Sequence, residues 1–64
     1  MYEIIEDRGC DIKYVHSTAE TLEKANVLAE ILNKEAKHYG LTNGNGDYYT
    51  YYVKWKTYYS LFFS

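Results

Sequence analysis

The chain of 64 residues has few residues that could form disulfides or metal sites, with one cysteine and two histidines, and it has no proline. The single Cys10 excludes a disulfide within the chain. One cysteine and two histidines are too few soft ligands for a zinc cluster, and no nucleotide-binding or catalytic motif is present. We therefore expect no metal and no cofactor. Because a chain this short buries only roughly 60% of its unfolded surface, its extra stability must come from aromatic packing or from oligomerisation.

Long apolar runs and an excess of charge are also missing. No run approaches the ~20 apolar residues of a membrane-spanning helix, and the start, MYEIIEDRG, lacks the segments of a signal peptide. We therefore expect a cytoplasmic protein with a reduced thiol and no membrane partner. The formal net charge of −2 is too small for a general nucleic-acid binder. The first 36 residues are acidic, whereas residues 37–64 are mildly basic.

The first part of the chain, about residues 2–16, predicts a β-hairpin. Residues 2–6 are rich in β-formers, and residues 7–9, Asp-Arg-Gly, include residue types that favour a turn. From Cys10 to His16 the residues alternate, which predicts a strand with Cys10, Ile12, Tyr14 and His16 facing a core. Cys10 and His16 would lie ~20 Å apart along this strand, too far for a nucleophile and its base. An enzyme is therefore the least favoured class of function.

Residues 18–39, approximately, predict an amphipathic helix. Ser17 and Glu20 match an S-x-x-E capping box, and Gly40 supplies a left-handed stop. Between them, apolar residues recur at spacings of three and four. Val27 and Ile31 lie outside this stripe. They are either ordinary exposed aliphatic residues or a second contact patch, for a partner or for the C-terminal segment.

Residues 40–47 predict a loop, because Asn-Gly occurs twice. Asn43, Asn45 and Asp47 alternate as the first oxygen ligands of a calcium loop do. In that motif, however, Tyr48 would occupy the glycine position and Lys54 the position of the bidentate acid. We therefore reject a calcium site.

The last eighteen residues, 47–64, contain nine aromatic residues and neither glycine nor proline. From about residue 48, alternation predicts a strand whose odd positions face a core and whose even positions mix hydroxyls, lysines and aromatics. A strand through residue 63 would be about 50 Å long at ~3.3 Å per residue. We therefore expect the strand to contribute side chains to the core of the domain only as far as about Trp55 or Thr57. Residues 57–64 would then be an extension that folds back or contacts another molecule.

Together these elements predict one α+β domain over residues 1–64. We expect a two-layer ββαβ arrangement, with an antiparallel three-stranded sheet of order 2-1-3 and one helix packed on one face. The expected core consists of Ile4, Ile12, Tyr14, Leu22, Ala25, Leu28, Ala29, Leu32, Tyr49, Tyr51, Val53 and Trp55.

A hairpin, a helix that ends in A-x-x-L-N at residues 29–33, and a Tyr-rich strand follow one another in this chain. In this order the chain resembles short open reading frames of phages and mobile elements of low-GC bacteria. The resemblance implies a small accessory or inhibitor protein and no particular chemistry.

The expected function is a non-enzymatic protein–protein interaction module, because Tyr and Trp dominate binding hot spots. Its partner would be a host protein or a second copy in a homo-dimer. The expected contact residues are Tyr48, Tyr52, Lys54, Lys56, Tyr58, Tyr59, Leu61, Phe62 and Phe63, with Val27 and Ile31.

The alternative is a single-stranded nucleic-acid-binding module. Aromatic residues interleaved with lysines on a sheet face stack bases and neutralise phosphates. The residues that would do so are Tyr48, Tyr52, Lys54, Lys56 and Tyr58. A third interpretation of the same residues is a solvated face on which neighbouring tyrosines stabilise the sheet.

Overall fold

The computed structural model describes residues 1–56. It contains three strands and one helix: β1 (Tyr2–Gly9), β2 (Ile12–Ala19), α1 (Leu22–Tyr39) and β3 (Thr50–Trp55). The strands form one antiparallel sheet in the order β2-β1-β3, and α1 packs on one of its faces. The predicted α+β fold and strand order are confirmed.

The hairpin turns two residues later than the sequence predicted. Gly9 pairs with Ile12, and the two residues between them, Cys10 and Asp11, both adopt positive φ angles of 53° and 63°. Two left-handed residues are the geometry that a tight two-residue hairpin requires. Strand β2 then continues beyond His16 to Ala19, with a bulge between its pairings to Ile4 and Ile5.

Helix α1 begins at a different cap from the predicted one. Thr21 is the N-cap, and its side-chain oxygen accepts a hydrogen bond from the Lys24 N–H at 3.2 Å. The predicted capping box at Ser17 is wrong, because Ser17 pairs with Ile4 in the sheet. The predicted end is correct: Gly40 adopts φ 66°, and the Leu41 N–H donates to the Ala36 carbonyl at 2.8 Å.

The core between α1 and the sheet is built from small helix residues and a few larger sheet residues. Its buried members are Ile4, Ala25, Ala29, Ala36 and Tyr51, and half-buried hydrophobic residues surround them: Tyr2, Ala19, Leu28, Leu32, Tyr49 and Val53. Alanine side chains let the helix lie close to the strands.

Six residues that the sequence placed toward the core are exposed instead: Cys10, Ile12, Tyr14, His16, Leu22 and Trp55. The helix packs mainly over β3 and β1 and has the least contact with β2, so the side chains of β2 stay uncovered. Trp55 stands at the end of β3, with its ring edge-on to the ring of Tyr2 at 4.8 Å.

The loop between α1 and β3 is organised by Asn43. Its Oδ1 accepts hydrogen bonds from the backbone N–H groups of Asn45 and Asp47, at 2.8 and 3.1 Å. Its Nδ2 donates to the Arg8 carbonyl at 2.9 Å, which ties the loop to the end of the hairpin. The polar residues that resemble a calcium loop therefore hold the loop together. Within residues 1–56 no group of three or more acidic, histidine or cysteine residues is placed to hold a metal ion.

Candidate functional site

The face of the sheet opposite α1 is called the open face here. Neighbouring residues of a strand point to opposite faces, and paired residues of adjacent strands share a face. Because Ile4 and Tyr51 belong to the core under α1, the register defines the other face. It consists of Glu3, Ile5, Asp7, Lys13, Val15, Thr18, Thr50, Tyr52 and Lys54.

The centre of the open face is apolar. Ile5 is only 6% exposed, although it does not belong to the core cluster under α1. Val15 and Tyr52 pair with it from the two neighbouring strands and are 54% and 41% exposed. Together with two lysines and Tyr14, these residues line a shallow depression of about 130 Å³. An exposed valine and an exposed tyrosine thus flank a buried isoleucine.

The charges around this apolar centre are balanced. Glu3 of the central strand is paired with Lys54 of β3, and Asp7 is paired with Lys13 of β2. Directly paired residues have Cβ atoms about 5 Å apart, so each lysine lies across from an acidic residue, although the ion pairs within residues 1–56 are formed elsewhere, by Arg8 with Glu6 and by Lys34 with Glu30. The open face thus has an apolar middle with a charged pair toward each end.

The outer edge of β3 is capped at Tyr51 by a side chain of the helix. The Tyr51 N–H donates to Asn33 Oδ1 at 2.8 Å, and Asn33 Nδ2 donates to the Tyr51 carbonyl at 2.9 Å. The Tyr49 N–H donates to the Leu41 carbonyl at 2.9 Å. Asn33 therefore makes the two bonds that a neighbouring strand would make at Tyr51. The sequence pattern did not predict this role; its one signal is an asparagine inside a helix, where asparagine is a poor helix former.

Under the C-terminal half of α1, a carboxylate lies in a polar cluster. Tyr51 Oη donates to Glu6 Oε1, and Arg8 Nε donates to Glu6 Oε2, both at 2.7 Å. The Arg8 guanidinium also lies over the rings of Tyr14 and Tyr49, at 4.7 and 4.9 Å from their centroids. This arrangement fixes the end of the sheet nearest the hairpin turn.

The pKa values of Glu6 and Tyr51 do not suit a catalytic role. Burial raises the pKa of Glu6, but hydrogen bonds from Tyr51 and Arg8 outweigh it and hold that pKa below its usual value. Burial, followed by the hydrogen bond to Glu6, raises the pKa of Tyr51 to about 12. A general acid or base works best with a pKa near the operating pH. At neutral pH this pair is a fixed carboxylate and a fixed phenol, which suits a structural role.

The structure brings together only part of the predicted Tyr/Lys surface. Tyr52 and Lys54 lie on the open face, as the alternation predicted. Tyr48 lies before β3, where it forms an isolated bridge with Thr42, and Lys56 follows the strand, with its N–H bonded to the Met1 carbonyl. Five predicted contact residues lie outside the described residues: Tyr58, Tyr59, Leu61, Phe62 and Phe63.

The two helix residues outside the apolar stripe form a separate surface. Val27 and Ile31 are both about half exposed. With Leu28 and the polar residues around them, they line a groove of about 530 Å³ along α1. This groove lies on the helix, and the open face lies on the other side of the sheet. The two apolar surfaces are therefore distinct.

Comparison of the chain with protein-family models, with curated proteins and with solved structures gave no match. No helix in residues 1–56 combines the length and the apolarity needed to cross a membrane.

Proposed function

We propose that this chain is a non-enzymatic protein-interaction module that binds a protein partner through the open face of its sheet. The observation that carries the proposal is the exposure of Val15 and Tyr52 around the buried Ile5. Protein interfaces combine an apolar centre with a polar rim, and tyrosine is enriched at binding hot spots. Glu3–Lys54 and Asp7–Lys13 supply such a rim.

The same geometry favours a protein over single-stranded nucleic acid. Surfaces that bind single strands combine several stacking aromatics with unopposed positive charge. Within residues 1–56, Tyr52 is the single aromatic residue on the open face, and Lys13 and Lys54 each have a paired carboxylate. A phosphate that approached either lysine would also meet Glu3 or Asp7 on the central strand.

We also propose the kind of protein, its partner and its compartment. An accessory or inhibitor protein of the phage type is one version of it, and the partner is then a host protein. We place the module in the cytoplasm, where an exposed thiol such as that of Cys10 stays reduced.

The experiment compares three immobilised proteins as baits in a cell extract: the unmodified chain, Tyr52→Asp and Tyr48→Asp. Tyr48 is the matched control, because it is exposed to a similar degree (49%) but lies outside the open face. Circular dichroism first establishes that both variants fold. We expect a protein that the unmodified chain and Tyr48→Asp retain equally and that Tyr52→Asp retains at least about tenfold less. Equal retention by Tyr52→Asp would overturn the proposal.

A titration with fluorescent oligothymidylate at low salt tests the alternative. We expect no saturable binding. Binding that weakens with salt and is lost in Lys54→Gln would instead establish a nucleic-acid module, because phosphate contacts release counterions.

A further inference from the structure

We propose that the outer edge of β2 pairs with the β2 edge of a second copy of this chain, antiparallel and with a two-fold axis at Tyr14. This inference goes beyond the proposed function, because it concerns a strand edge and not the open face. The result would be one continuous six-stranded sheet with both helices on the same side.

The two edges of the sheet differ in how they are protected. At β3, the Asn33 side chain hydrogen-bonds to the backbone N–H and C=O of Tyr51, and the Leu41 carbonyl accepts a hydrogen bond from the Tyr49 N–H. Along β2, no hydrogen bond from elsewhere in residues 1–56 reaches the outer backbone groups. Unpaired edge groups are a template for another strand. The outer edge of β2 is therefore free of such contacts along its length, whereas β3 is capped at Tyr49 and Tyr51.

The hydrogen bonds of Asn33 also establish which groups of β2 point outward. Tyr51 directs its N–H and C=O away from β1, so its pair with Glu6 is of the non-hydrogen-bonded kind. Glu6 therefore directs its groups toward β2, where it pairs with Tyr14. Since successive residues alternate, Lys13 and Val15 direct their N–H and C=O groups to the outer edge.

One two-fold register satisfies all of these outward groups. With the axis at Tyr14, Lys13 of each copy lies opposite Val15 of the other, and every outward N–H and C=O of these two residues has a partner. An axis at Lys13 would place two lysines opposite each other, which destabilises a sheet. An axis at Val15 would place Lys13 opposite Ser17, whose groups point toward β1 beyond the bulge.

The side chains support the same register. Tyr14 is 52% exposed and lies on the helix side of the sheet, where α1 leaves β2 uncovered. In the dimer the two Tyr14 rings meet across the axis, and aromatic pairs of this kind stabilise paired strands. Lys13 faces Val15, with Asp7 beside it in its own sheet. The edge is thus complementary to itself, which favours a second copy over an unrelated peptide.

Energetics also favour a second copy, although the contact is small. Within residues 1–56 the buried hydrophobic residues are Ile4, Ile5, Ala25, Ala29, Ala36 and Tyr51, and a domain with so small a core gains from association. A pairing limited to a short stretch of β2 falls among the smaller interfaces. We therefore expect a weak dimer that forms as the protein concentration rises toward the millimolar range.

The first test is a disulfide across the proposed axis. In a Cys10→Ser background, Tyr14→Cys places two thiols in a non-hydrogen-bonded pair, with Cα atoms about 4.5 Å apart, a separation that a disulfide can span. Tyr52→Cys in the same background is the control, with similar exposure on the open face. Mild oxidation should convert most of the Tyr14→Cys protein, and little of the control, into a covalent dimer. Equal dimer formation by the two would overturn the inference.

The second test is light scattering across a concentration series. Val15→Pro and Trp55→Pro each remove an N–H that points away from β1, on opposite edges, and both replace exposed residues. Proline is tolerated where the N–H faces solvent. We expect Val15→Pro to weaken dimerisation at least tenfold and Trp55→Pro to leave it unchanged. The reverse result, or an unmodified chain that stays monomeric at millimolar concentration, would overturn the inference.

The experiments distinguish the edge pairing of β2 from partner binding by the open face. Tyr52→Asp removes the centre of the open face but no outward group of β2, so it should still dimerise. Loss of partner capture with an intact dimer supports both proposals. An unmodified chain that captures a partner but never dimerises overturns the edge pairing alone.

Discussion

Replacing Asn33 with alanine should lower the free energy of unfolding by about 2 kcal/mol. The side chain makes two hydrogen bonds, at 2.8 and 2.9 Å, to the backbone N–H and C=O of Tyr51. Each such bond contributes roughly 0.5–1.5 kcal/mol net. The expected loss stays near the sum of these values, because the groove between Asn33 and β3 is open and water can reach the released backbone groups.

Asn26→Ala is the matched control. Asn26 is exposed on the same side of α1, two turns earlier, and has no side-chain hydrogen bond within residues 1–56. Both substitutions gain the same helix propensity, so their difference isolates the two bonds to Tyr51. Urea unfolding measures the difference, and in a thermal melt it should amount to about 10 °C.

Amide hydrogen exchange adds a local measurement to the global one. The Tyr51 amide should exchange much faster in Asn33→Ala than in Asn26→Ala, because its acceptor has gone. If the two variants have equal stability and equal exchange at Tyr51, the closure of the β3 edge by Asn33 is refuted.

Two further predictions concern the phenol of Tyr51 and the start of α1. Because folding raises the pKa of Tyr51 to about 12, its stabilising contribution is complete below an unfolded pKa of about 10 and is lost as the pH rises through about 12. Urea unfolding between pH 9 and about 12 should therefore show a steeper loss of stability in the unmodified chain than in Tyr51→Phe, and equal slopes would contradict the assignment. Thr21→Ala should lose about 1 kcal/mol as the true N-cap, whereas Ser17→Ala, at the cap that the sequence predicted, should lose much less. The opposite order in urea unfolding would restore Ser17 as the cap.

The fold was predictable because its signals are local and agree with one another. Alternation marked the strands, a three-and-four spacing marked the helix, and Gly40 marked its end. Once the order of the elements was known, few antiparallel arrangements remained, and 2-1-3 is the one observed. The local signal failed at Ser17, where a capping pattern competed with sheet pairing to Ile4 and the pairing prevailed.

The placement of the helix was not predictable from the pattern. The periodicity of α1 shows which side is apolar, but it does not show which strands that side covers. The expected core contained both alanines and leucines of the helix, together with Tyr14 of β2; Ala25 and Ala29 are buried as expected, whereas Leu22 and Tyr14 are exposed. Small residues permit a close approach of the helix to the sheet, and the helix packs mainly over β3.

The candidate site depends on this placement, so it was only partly predictable. Alternation correctly placed Tyr52 and Lys54 on the face away from the core. It did not place Val15 in the centre of that face or Glu3 beside Lys54, because both facts depend on the register between strands. The role of Asn33 could not be predicted from the sequence, because its hydrogen-bond partner is a backbone group 18 residues away.

The alanine-rich core also has a thermal consequence. The heat capacity change of unfolding rises with the apolar area exposed and is roughly 12–15 cal/mol/K per residue in ordinary domains. Ala25, Ala29 and Ala36 contribute little apolar area to the buried core, so this protein should lie below that range. A small heat capacity change flattens the curve of unfolding free energy against temperature. The stability of this protein should therefore vary less with temperature, on either side of its maximum, than that of an ordinary domain of the same length.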